Sequence, residues 1–334
     1  MPRDSARATA SPALGLTMQP AVATLPTLEV RVPVPELGAW RAGNTGIEGV
    51  WTFAAPEPGP HLMLTALVHG NEVTGALLLL RWLREGIRPR RGALTFCFAN
   101  LAAFDRFDPA DPAASRFLDE DLNRVWATEL LAGGRRSAEL DRARALLPAL
   151  RRADVLLDLH SMLWPSDALM IAGPGAASRD LGRALGTPPV VVADEGHAAG
   201  LRVIDHAHFA GGARALLLEA GPHWQPETLA QMERTAAALL RRLGLAEEGA
   251  ALPPAETLPP GRLARVTRTV TAQSADFAFL RAFRGGEVIP RRNTLIALDG
   301  EAELRTPHDD CLLVMPSPRA MRGHTAVRLA RFEA

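Results

Sequence analysis

From about residue 27 to residue 250, short apolar runs alternate with longer amphipathic stretches. Five of these runs are dominated by apolar residues, which is typical of strands buried on both faces of a sheet: HLMLTALVH, ALTFCFANL, ADVLLDLH, PPVVVADE and ARALLLEAG. Two earlier β-rich segments, LEVRVPV and VWTFAAP, are also predicted to be strands, with a glycine-rich turn between them. The pattern therefore predicts a sheet built largely before residue 250.

Helices are predicted between these strands from their caps and their apolar periodicity. Residues 73–85 form one helix, with Gly86 as its C-terminal stop. Ser137 is the predicted N-cap of a second helix, and Pro226 opens a third helix with an apolar stripe. Alternation of strands and helices predicts an α/β fold, in which a mostly parallel or mixed sheet is flanked by helices.

The pattern changes near Leu252, where the segment LPPAETLPPG predicts a proline-rich linker. The residues beyond the linker are β-like, and Asp299-Gly300 is a predicted hairpin turn. The first residues are rich in Ala, Ser and Pro without a continuous apolar stretch, so a disordered tail is expected there rather than a secretory signal. We therefore predict three parts: a disordered tail over 1–26, an α/β domain over 27–250 and a small C-terminal β domain over 251–334.

The charges balance, because the 334 residues include 37 Lys and Arg against 37 Asp and Glu. A polyanion-binding surface is therefore not expected, and neither is a nucleic-acid partner. No apolar segment reaches the ~20 residues of a membrane span, so no membrane partner is expected. Cys97 lies in an apolar run far from Cys311, which predicts two reduced thiols and suits a cytoplasmic location. Self-association into a homo-oligomer stays open.

Three of the apolar runs end in a residue that binds metals or exchanges protons. His69 ends the first of them, and Glu72 follows just beyond it. His160 ends ADVLLDLH, and Glu219 ends ARALLLE. Because ligands bind at the carboxyl ends of the strands in an open α/β sheet, these side chains are expected to converge on one crevice.

Two histidines and one carboxylate, with a fourth position for water, form a ligand set typical of catalytic zinc. His69, Glu72 and His160 are therefore the predicted ligands of one Zn²⁺ per chain. Asp158 lies two residues before His160 on the same face of the strand, where it can orient that imidazole. Glu219 remains as a general base for a water molecule whose pKa the metal lowers to ~7.

A long polar loop is predicted over residues 102–123. The segment SRFLDEDLNRVW, residues 115–126, begins within this loop. Loops of this length inside a compact domain are usually functional or disordered. Arg116, Asn123 and Arg124 are candidates for binding a substrate carboxylate and a developing oxyanion. The neighbouring acids are expected to hold these arginines in place: Asp119, Glu120 and Asp121.

Each of these signals has an ordinary structural alternative. A buried histidine paired with a glutamate three residues away is common without any ligand. The DLNR segment also fits a salt-bridged loop with no ligand. Four signals at the same edge of one predicted sheet favour a functional site over four separate structural roles.

Together the motifs resemble those of the succinylglutamate desuccinylase/aspartoacylase family, which belongs to the zinc carboxypeptidase-like superfamily. They are HGNE at 69–72, SRFLDEDLNRVW at 115–126, DLH at 158–160 and EAG at 219–221. Their order and spacing match the family over roughly residues 60–225, and the predicted C-terminal β domain fits the family's architecture. HGNE combined with R-x4-DLNR is the most specific part of the resemblance.

The resemblance implies that the three predicted ligands bind zinc and that Glu219 activates water and passes its proton to the leaving amine. It also implies that Arg116 polarises the scissile carbonyl and stabilises the oxyanion. Asn123 and Arg124 would bind the carboxylate of the amino-acid half of the substrate. The implied activity is zinc-dependent hydrolysis of a small N-acyl amino acid or related amide, which is a deacylase reaction.

Two departures from the family concern the substrate. Aspartoacylases resemble one another in using an arginine about ten residues before the glutamate base, whereas this chain has RVIDHAHFAGG in that region. His206 or His208 lies near the sequence position of that arginine, whereas Arg202 is offset from it. His208 is the predicted substrate-binding residue. A tyrosine that the family uses in its C-terminal domain has no counterpart, because the chain contains no tyrosine. N-acetylaspartate therefore lacks two of its expected contacts.

Two alternative functions also fit the predicted metal site. A zinc carboxypeptidase acting on short peptides needs the same metal set and a carboxylate clamp, and a substrate panel distinguishes it from a deacylase. A non-catalytic, metal-dependent binding protein needs neither Glu219 nor Arg116, so the presence of both argues for catalysis.

Overall fold

The computed structural model describes residues 28–194, 196–197 and 199–333. The predicted tail, 1–26, lies outside the described residues. Within them the strands are β1 Val50–Ala54, β2 His61–Ala66, β3 Ala93–Phe98, β4 Val155–Met162, β5 Leu169–Ala172, β6 Val190–Ala193, β7 Arg214–Pro222, β8 Arg262–Thr271, β9 Phe277–Phe279, β10 Val288–Ile289, β11 Leu295–Asp299, β12 Ala302–Arg305, β13 Cys311–Val314 and β14 Thr325–Phe332. The α-helices are α1 Val73–Arg84, α2 Leu101–Phe104, α3 Thr128–Ala132, α4 Ala138–Leu150, α5 Ala176–Leu185, α6 Ala207–Ala210 and α7 Pro226–Arg242.

Most of the described strands form one large mixed sheet. Its strand order is β1-β3-β2-β4-β7-β5-β6-β8-β14-β13-β10. β3, β2, β4 and β7 run parallel near its centre, whereas β1 is antiparallel to β3 and β5 is antiparallel to β7. The prediction of a mixed α/β sheet flanked by helices is confirmed.

The predicted strands are buried because both faces of the sheet are covered. All eight residues of β4 are buried, and its successive residues alternate between two hydrophobic clusters. Leu157 packs in the cluster that contains Trp82 of α1, and Leu156 packs in the cluster that contains Leu146 of α4. A strand that is covered on both faces needs apolar residues on both of them, which explains the continuous apolar runs in the sequence.

The predicted helix ends also agree with the structure. α1 ends before Gly86, which adopts a positive φ of 72° that suits glycine. The hydroxyl of Ser137 accepts a hydrogen bond from the N–H of Leu140 at 3.0 Å and so caps α4. Pro226 occupies the first turn of α7, where its missing N–H costs nothing.

Two differences from the prediction concern the strands before residue 250. Residues 28–34 form no strand, because Pro33 offers no N–H for a ladder of hydrogen bonds. This stretch makes one backbone hydrogen bond among the described residues, from the N–H of Arg31 to the carbonyl of Trp224 at 2.9 Å. The short strand β5 was not predicted, since four apolar residues are too few for a periodic signal.

The residues after 251 contribute to two sheets. β8 pairs in parallel with β6, and β14, β13 and β10 extend the large sheet beyond it. β9, β11 and β12 form a small antiparallel sheet, with a tight turn that includes Gly300 at φ 61°. A third hydrophobic cluster, including Ile296 and Val327, lies within this part of the chain.

Both cysteines, Cys97 and Cys311, are buried and free, as predicted for reduced thiols. Among the helices of the described residues, none combines the length and the apolar character needed to cross a bilayer.

Candidate active site

The carboxyl ends of β2, β4 and β7 meet at one edge of the large sheet. The strands are adjacent and parallel, with Thr65 opposite Asp158 and His160 opposite Glu219. Residues that are far apart in the sequence are thereby brought into one crevice, which is where open α/β sheets place their ligands.

The turn between β2 and α1 carries two of the predicted metal ligands and is fixed from both sides. Leu67 adopts a left-handed φ of 59°, which costs a non-glycine residue roughly 1–3 kcal/mol. The N–H of Gly70 donates to the carbonyl of Arg116 at 3.0 Å, and the indole of Trp224 donates to the carbonyl of Asn71 at 2.7 Å. The turn is therefore held by the long loop and by the segment after β7.

Gly70 packs so closely against backbone that no other residue fits. A Cβ at this position would lie 2.5 Å from Ala103 C and Phe104 N and 2.6 Å from Ser115 O. Gly70→Ala is expected to reduce the free energy of unfolding by about 3 kcal/mol, because overpacking against backbone leaves nothing that can rotate away. Denaturant unfolding measures this change. Gly134→Ala is the control, since a Cβ at Gly134 has nothing within 4 Å, and an equal effect in both variants would contradict the prediction.

His69, Glu72 and His160 form a buried group of metal-binding side chains. The Nδ1 atom of His69 lies 2.7 Å from one oxygen of Glu72, and the Nδ1 atom of His160 lies 3.1 Å from the other. One ligand atom from each residue lies within 4.8 Å of the other two. The three side chains thus converge as their positions at the strand ends predict.

The chemistry of this group fits a divalent cation. The carboxylate of Asp158 lies 2.7 Å from Nε2 of His160, so the ring turns Nδ1 toward Glu72. Ligating histidines usually bind a carboxylate in this way through their second nitrogen. Burial alone would raise the pKa of Glu72, but the adjacent imidazoles lower it well below its ordinary value. A buried, ionised carboxylate between two imidazoles is the nitrogen and oxygen donor set that zinc accepts.

Glu219 lines the same cavity from β7. It is buried, and its Oε2 atom has no hydrogen-bond partner among the described residues. Burial raises the pKa of Glu219 to about 8, because the loss of water outweighs the attraction of nearby His160. An unpartnered carboxyl with a raised pKa beside a metal-binding group is typical of a catalytic acid–base residue.

Arg116 reaches the metal-binding group from the cavity. One of its terminal nitrogens lies 2.9 Å from Nε2 of His69, and the other lies 3.5 Å from Glu72. The carboxylate of Asp121 lies 3.3 Å from the same guanidinium. The pKa of Asp121 is lowered, because the nearby His69, Arg116 and Arg124 outweigh the effect of burial. The arginine remains 39% exposed, so it can also contact a molecule in the cavity.

Glu139 anchors the loop that carries Arg116. Its buried carboxylate accepts hydrogen bonds from the backbone N–H groups of Leu118, Asp119 and Glu120 at 2.7, 3.0 and 3.2 Å. The sequence shows Glu139 only as an acid in the first turn of a helix, so this role was not predicted. Asp121 is the one acid of this loop that pairs with Arg116 and Arg124 among the described residues. Asp119 and Glu120 instead accept hydrogen bonds from the start of α4.

Asn123 and Arg124 lie beside the cavity and not on its wall in the described structure. The side-chain oxygen of Asn123 accepts from the N–H of Val203 at 2.8 Å. Arg124 donates to the carbonyl of Asn123 at 2.6 Å and lies 4.0 Å from Asp121. Burial lowers the pKa of Arg124 to about 10, and it stays charged. Binding of a substrate carboxylate by these two residues stays a prediction.

The structure corrects the expectation for His208. Its Nε2 atom lies 2.7 Å from the carbonyl oxygen of Ala153, which precedes the first residue of β4. His160 lies near the other end of that strand, seven residues further on, which is ~23 Å of extended chain. His208 therefore lies at the amino edge of the sheet, and we assign it no part in substrate binding.

The other two residues near the sequence position of the family's arginine contact neighbouring side chains instead of the cavity. Arg202 is buried and binds Asp205 at 2.7 Å and Asp194 at 3.1 Å. His206 packs edge-on against Trp126, with 6.4 Å between the ring centroids.

The metal-binding group opens into a cavity of about 220 Å³. Residues 162–165 line it on one side, and Met315 and Pro316 bring apolar surface from the C-terminal segment. His223 also lines the cavity, and its Nδ1 atom lies 2.7 Å from the hydroxyl of Ser161. Burial lowers the pKa of His223 to about 4, so its ring is neutral at pH 7.

Arg328 of β14 also lines the cavity, and its place there was not predicted from the sequence. The signal available in the sequence was a charged residue inside the β-like run TAVRLARF. That signal is weak, because alternating polar residues are ordinary in a strand with one exposed face.

The mixed α/β sheet thus carries a buried His–Glu–His group at its strand ends, and Glu219, whose Oε2 atom has no partner among the described residues, lines the same cavity. The family model described as succinylglutamate desuccinylase/aspartoacylase catalytic domain matches residues 58–243. The chain belongs to the succinylglutamate desuccinylase/aspartoacylase family, as its motifs predict.

Curated relatives match over different lengths. Succinylglutamate desuccinylase of Burkholderia orbicola is 28% identical over 304 residues, covering 78% of each chain. A probable aspartoacylase of Parasynechococcus marenigrum is 37% identical over 98 residues, which is 28% of this chain and 31% of the relative. An N-acyl-aromatic-L-amino acid amidohydrolase of Xenopus laevis is 30% identical over 113 residues, 31% of this chain and 35% of the relative. The chain thus spans about a third of the latter two.

Solved structures share the fold at low sequence identity. Succinylglutamate desuccinylase of Vibrio parahaemolyticus superposes with a TM-score of 0.64 and 17% identity, covering 86% of this chain and 87% of that chain. The ectoine utilization protein EutE (DoeB) of Ruegeria pomeroyi gives a TM-score of 0.57 and 17% identity, covering 84% and 87%. These similarities concern the fold.

Proposed function

We propose that this protein is a zinc-dependent deacylase that hydrolyses the amide bond of a small N-acylated amino acid. The observation that carries the proposal is the convergence of His69, Glu72 and His160 in one buried group, with Glu219 on the wall of the same cavity. The names of the relatives, which are aspartoacylases and a succinylglutamate desuccinylase, support a substrate of this kind.

The three ligand residues would hold one Zn²⁺, which supplies Lewis acidity toward the substrate carbonyl and lowers the pKa of water. Glu219 would take a proton from the attacking water and pass it to the leaving nitrogen. Its burial and its raised pKa of about 8 suit a group that both accepts and returns a proton near neutral pH.

Arg116 would donate to the carbonyl oxygen as negative charge develops on it. Its position beside His69 and Glu72 places a guanidinium at the metal-binding group, and Asp121 limits its movement. Asn123 and Arg124 would bind the carboxylate of the amino-acid half. The volume of the cavity, about 220 Å³, and the wall supplied by the C-terminal segment support a small substrate over a peptide.

Metal analysis followed by a substrate panel tests the proposal. We expect one zinc ion per chain in the purified protein and zinc-dependent hydrolysis within a panel of N-acetyl, N-succinyl and N-formyl amino acids. Short peptides with free C-termini serve as the comparison, because a carboxypeptidase cleaves them. Zinc-loaded protein that cleaves only the peptides, or that cleaves nothing in the panel, would overturn the proposal.

A further inference from the structure

Ser161 and His223 form a hydrogen-bonded pair on the wall of the active-site cavity, and the proposed mechanism uses neither of them. The hydroxyl oxygen of Ser161 lies 2.7 Å from the Nδ1 atom of His223, and both residues are buried. Ser161 directly follows the predicted metal ligand His160, and its N–H donates to Glu72 at 3.0 Å. The pair therefore lies next to the metal-binding group, within the cavity that is to hold the substrate.

An irregularity in the sheet brings the two residues together. The ladder between β4 and β7 is regular up to the pair His160–Glu219, but the next pair is Met162–Pro222. β7 thus has one residue more than β4 in this interval, which is a β-bulge, and bulges redirect side chains beside active sites. Just beyond it, the N–H of His223 donates to the carbonyl of Met162 at 2.8 Å. The backbone thereby holds the imidazole at the wall of the cavity.

The surroundings of Ser161 determine which nitrogen of His223 carries the proton. A buried hydroxyl that donates to nothing is costly, and Nδ1 of His223 is its one acceptor within hydrogen-bond distance among the described residues. We therefore assign the hydroxyl proton to this bond, so that Nδ1 accepts. Burial lowers the pKa of His223 to about 4, which keeps the ring neutral near neutral pH. A neutral ring whose Nδ1 accepts carries its proton on Nε2.

The Nε2 atom of His223 has no hydrogen-bond partner in the described part of the chain, yet protein atoms do not enclose it completely. His308 is buried to a similar degree outside the active-site cavity and makes a useful comparison. Both of its nitrogens are paired, with the hydroxyl of Thr267 and with the carbonyl of Asp309, each at 2.9 Å. A histidine with a purely structural role is satisfied in this way, because an unpaired buried donor costs free energy. His223 instead presents an N–H group to the cavity.

We propose that His223 is a specificity-determining residue whose Nε2–H group donates a hydrogen bond to an uncharged oxygen of the substrate. The inference rests on the proposed function and narrows its substrate class to N-acyl amino acids that carry a hydroxyl or carboxamide group. The scissile oxygen already has Arg116 as its proposed donor, so His223 is available for another oxygen. That oxygen belongs either to the acyl group or to the side chain of the amino acid, and both sources present the same acceptor.

The neighbourhood of the donor favours an uncharged acceptor. The imidazole brings no charge of its own, and it lies against the ring of Trp224, with 4.9 Å between the ring centroids. A single neutral donor satisfies a hydroxyl or amide oxygen, whereas an ion desolvated beside it keeps an unmatched charge.

Two pairs of substrates of nearly equal shape test this assignment. N-glycolylalanine against N-propionylalanine exchanges a hydroxyl for a methyl group on the acyl side. N-acetylasparagine against N-acetylleucine exchanges a carboxamide for an isopropyl group on the amino-acid side. In the wild-type protein, the oxygen-bearing member of one pair is expected to have the higher kcat/KM, by about 10-fold, because its partner leaves the donor unpaired. The absence of a preference within both pairs would overturn the proposal.

His223→Leu and His223→Phe remove the donor, and each is expected to lower this preference by about 10-fold, mainly through KM. His223→Gln is expected to keep part of the preference, because its amide also presents an N–H group. Zinc content is expected to stay the same in all three variants, since His223 is not one of the residues whose ligand atoms converge. A loss of kcat/KM that is equal for both members of each pair would overturn the proposal, and so would a preference in His223→Gln as low as in His223→Leu.

His324→Leu is the matched control, since it makes the same change at an exposed histidine. Calorimetry on zinc-loaded proteins that also carry Glu219→Gln measures the affinity for the same four compounds without turnover. Tighter binding of the oxygen-bearing member of one pair, lost in His223→Leu and kept in His324→Leu, supports the role of His223 even where no hydrolysis is found. Hydrolysis of the panel without any such difference leaves the proposed function standing and refutes the role of His223.

Discussion

Glu219→Gln is expected to lower kcat/KM for every substrate that the protein hydrolyses by about 10²- to 10⁴-fold, the usual contribution of a general base. Gln keeps the size of the side chain but accepts no proton from water. Zinc content is expected to stay the same, because Glu219 is not one of the three residues whose ligand atoms converge. Steady-state kinetics and metal analysis on the same preparation measure both effects.

The control for this prediction is Glu227→Gln, which changes an exposed acid in the first turn of α7 in the same way. Turnover in that variant is expected to match the wild type. Wild-type turnover in Glu219→Gln would exclude Glu219 as the base. Loss of zinc from Glu219→Gln would instead assign it to the metal site.

His160→Ala is expected to abolish stoichiometric zinc binding, and hydrolysis with it, because two protein ligands remain where a catalytic zinc has three. Asp158→Asn keeps all three ligands but removes the carboxylate that lies 2.7 Å from the His160 ring. Its zinc affinity is expected to fall by about 10- to 100-fold, as is usual when the partner of a ligating histidine is lost. Competition against a chromogenic chelator measures both affinities.

His324→Ala is the control for the histidine variant, since His324 is exposed and lies in the C-terminal segment. Its zinc affinity is expected to equal that of the wild type. Thermal melts of the metal-free proteins distinguish a lost ligand from a lost fold, because Asp158 and His160 are both buried. A His160→Ala protein that is folded and binds zinc as tightly as His324→Ala would contradict the ligand assignment.

The metal-binding group was predictable because it depends on strand ends. His69, His160 and Glu219 each follow a continuous apolar run, and parallel strands bring such ends to one edge whatever the details of the loops. The sheet order, with β2, β4 and β7 adjacent, is the additional fact that only the structure provides. The caps at Ser137 and Gly86 were predictable for a similar reason, since they depend on local backbone chemistry.

The residues that escaped prediction depend on contacts across long stretches of chain. Glu139 has an ordinary place in a helix, yet its burial beneath the loop follows from how α4 packs. His208 was expected near the site from its distance in sequence to Glu219, but β7 lies between them and carries the two residues to opposite edges of the sheet. Arg328 reaches the cavity only because β14 pairs with β8, and no local pattern records that pairing.

The pairing of β6 with β8, and of β8 with β14, has a consequence for biosynthesis. A ribosome must deliver β14 before the side chain of Arg328 enters the crevice, because the strands that form it, β2, β4 and β7, all come earlier in the chain. Contacts between segments that are distant in sequence form slowly, so the wall of the cavity that β14 supplies is completed late in folding. A nonsense codon shortly before Thr325 would consequently yield a polypeptide that contains His69, Glu72 and His160 but lacks Arg328 and the strand that joins β8 to β13.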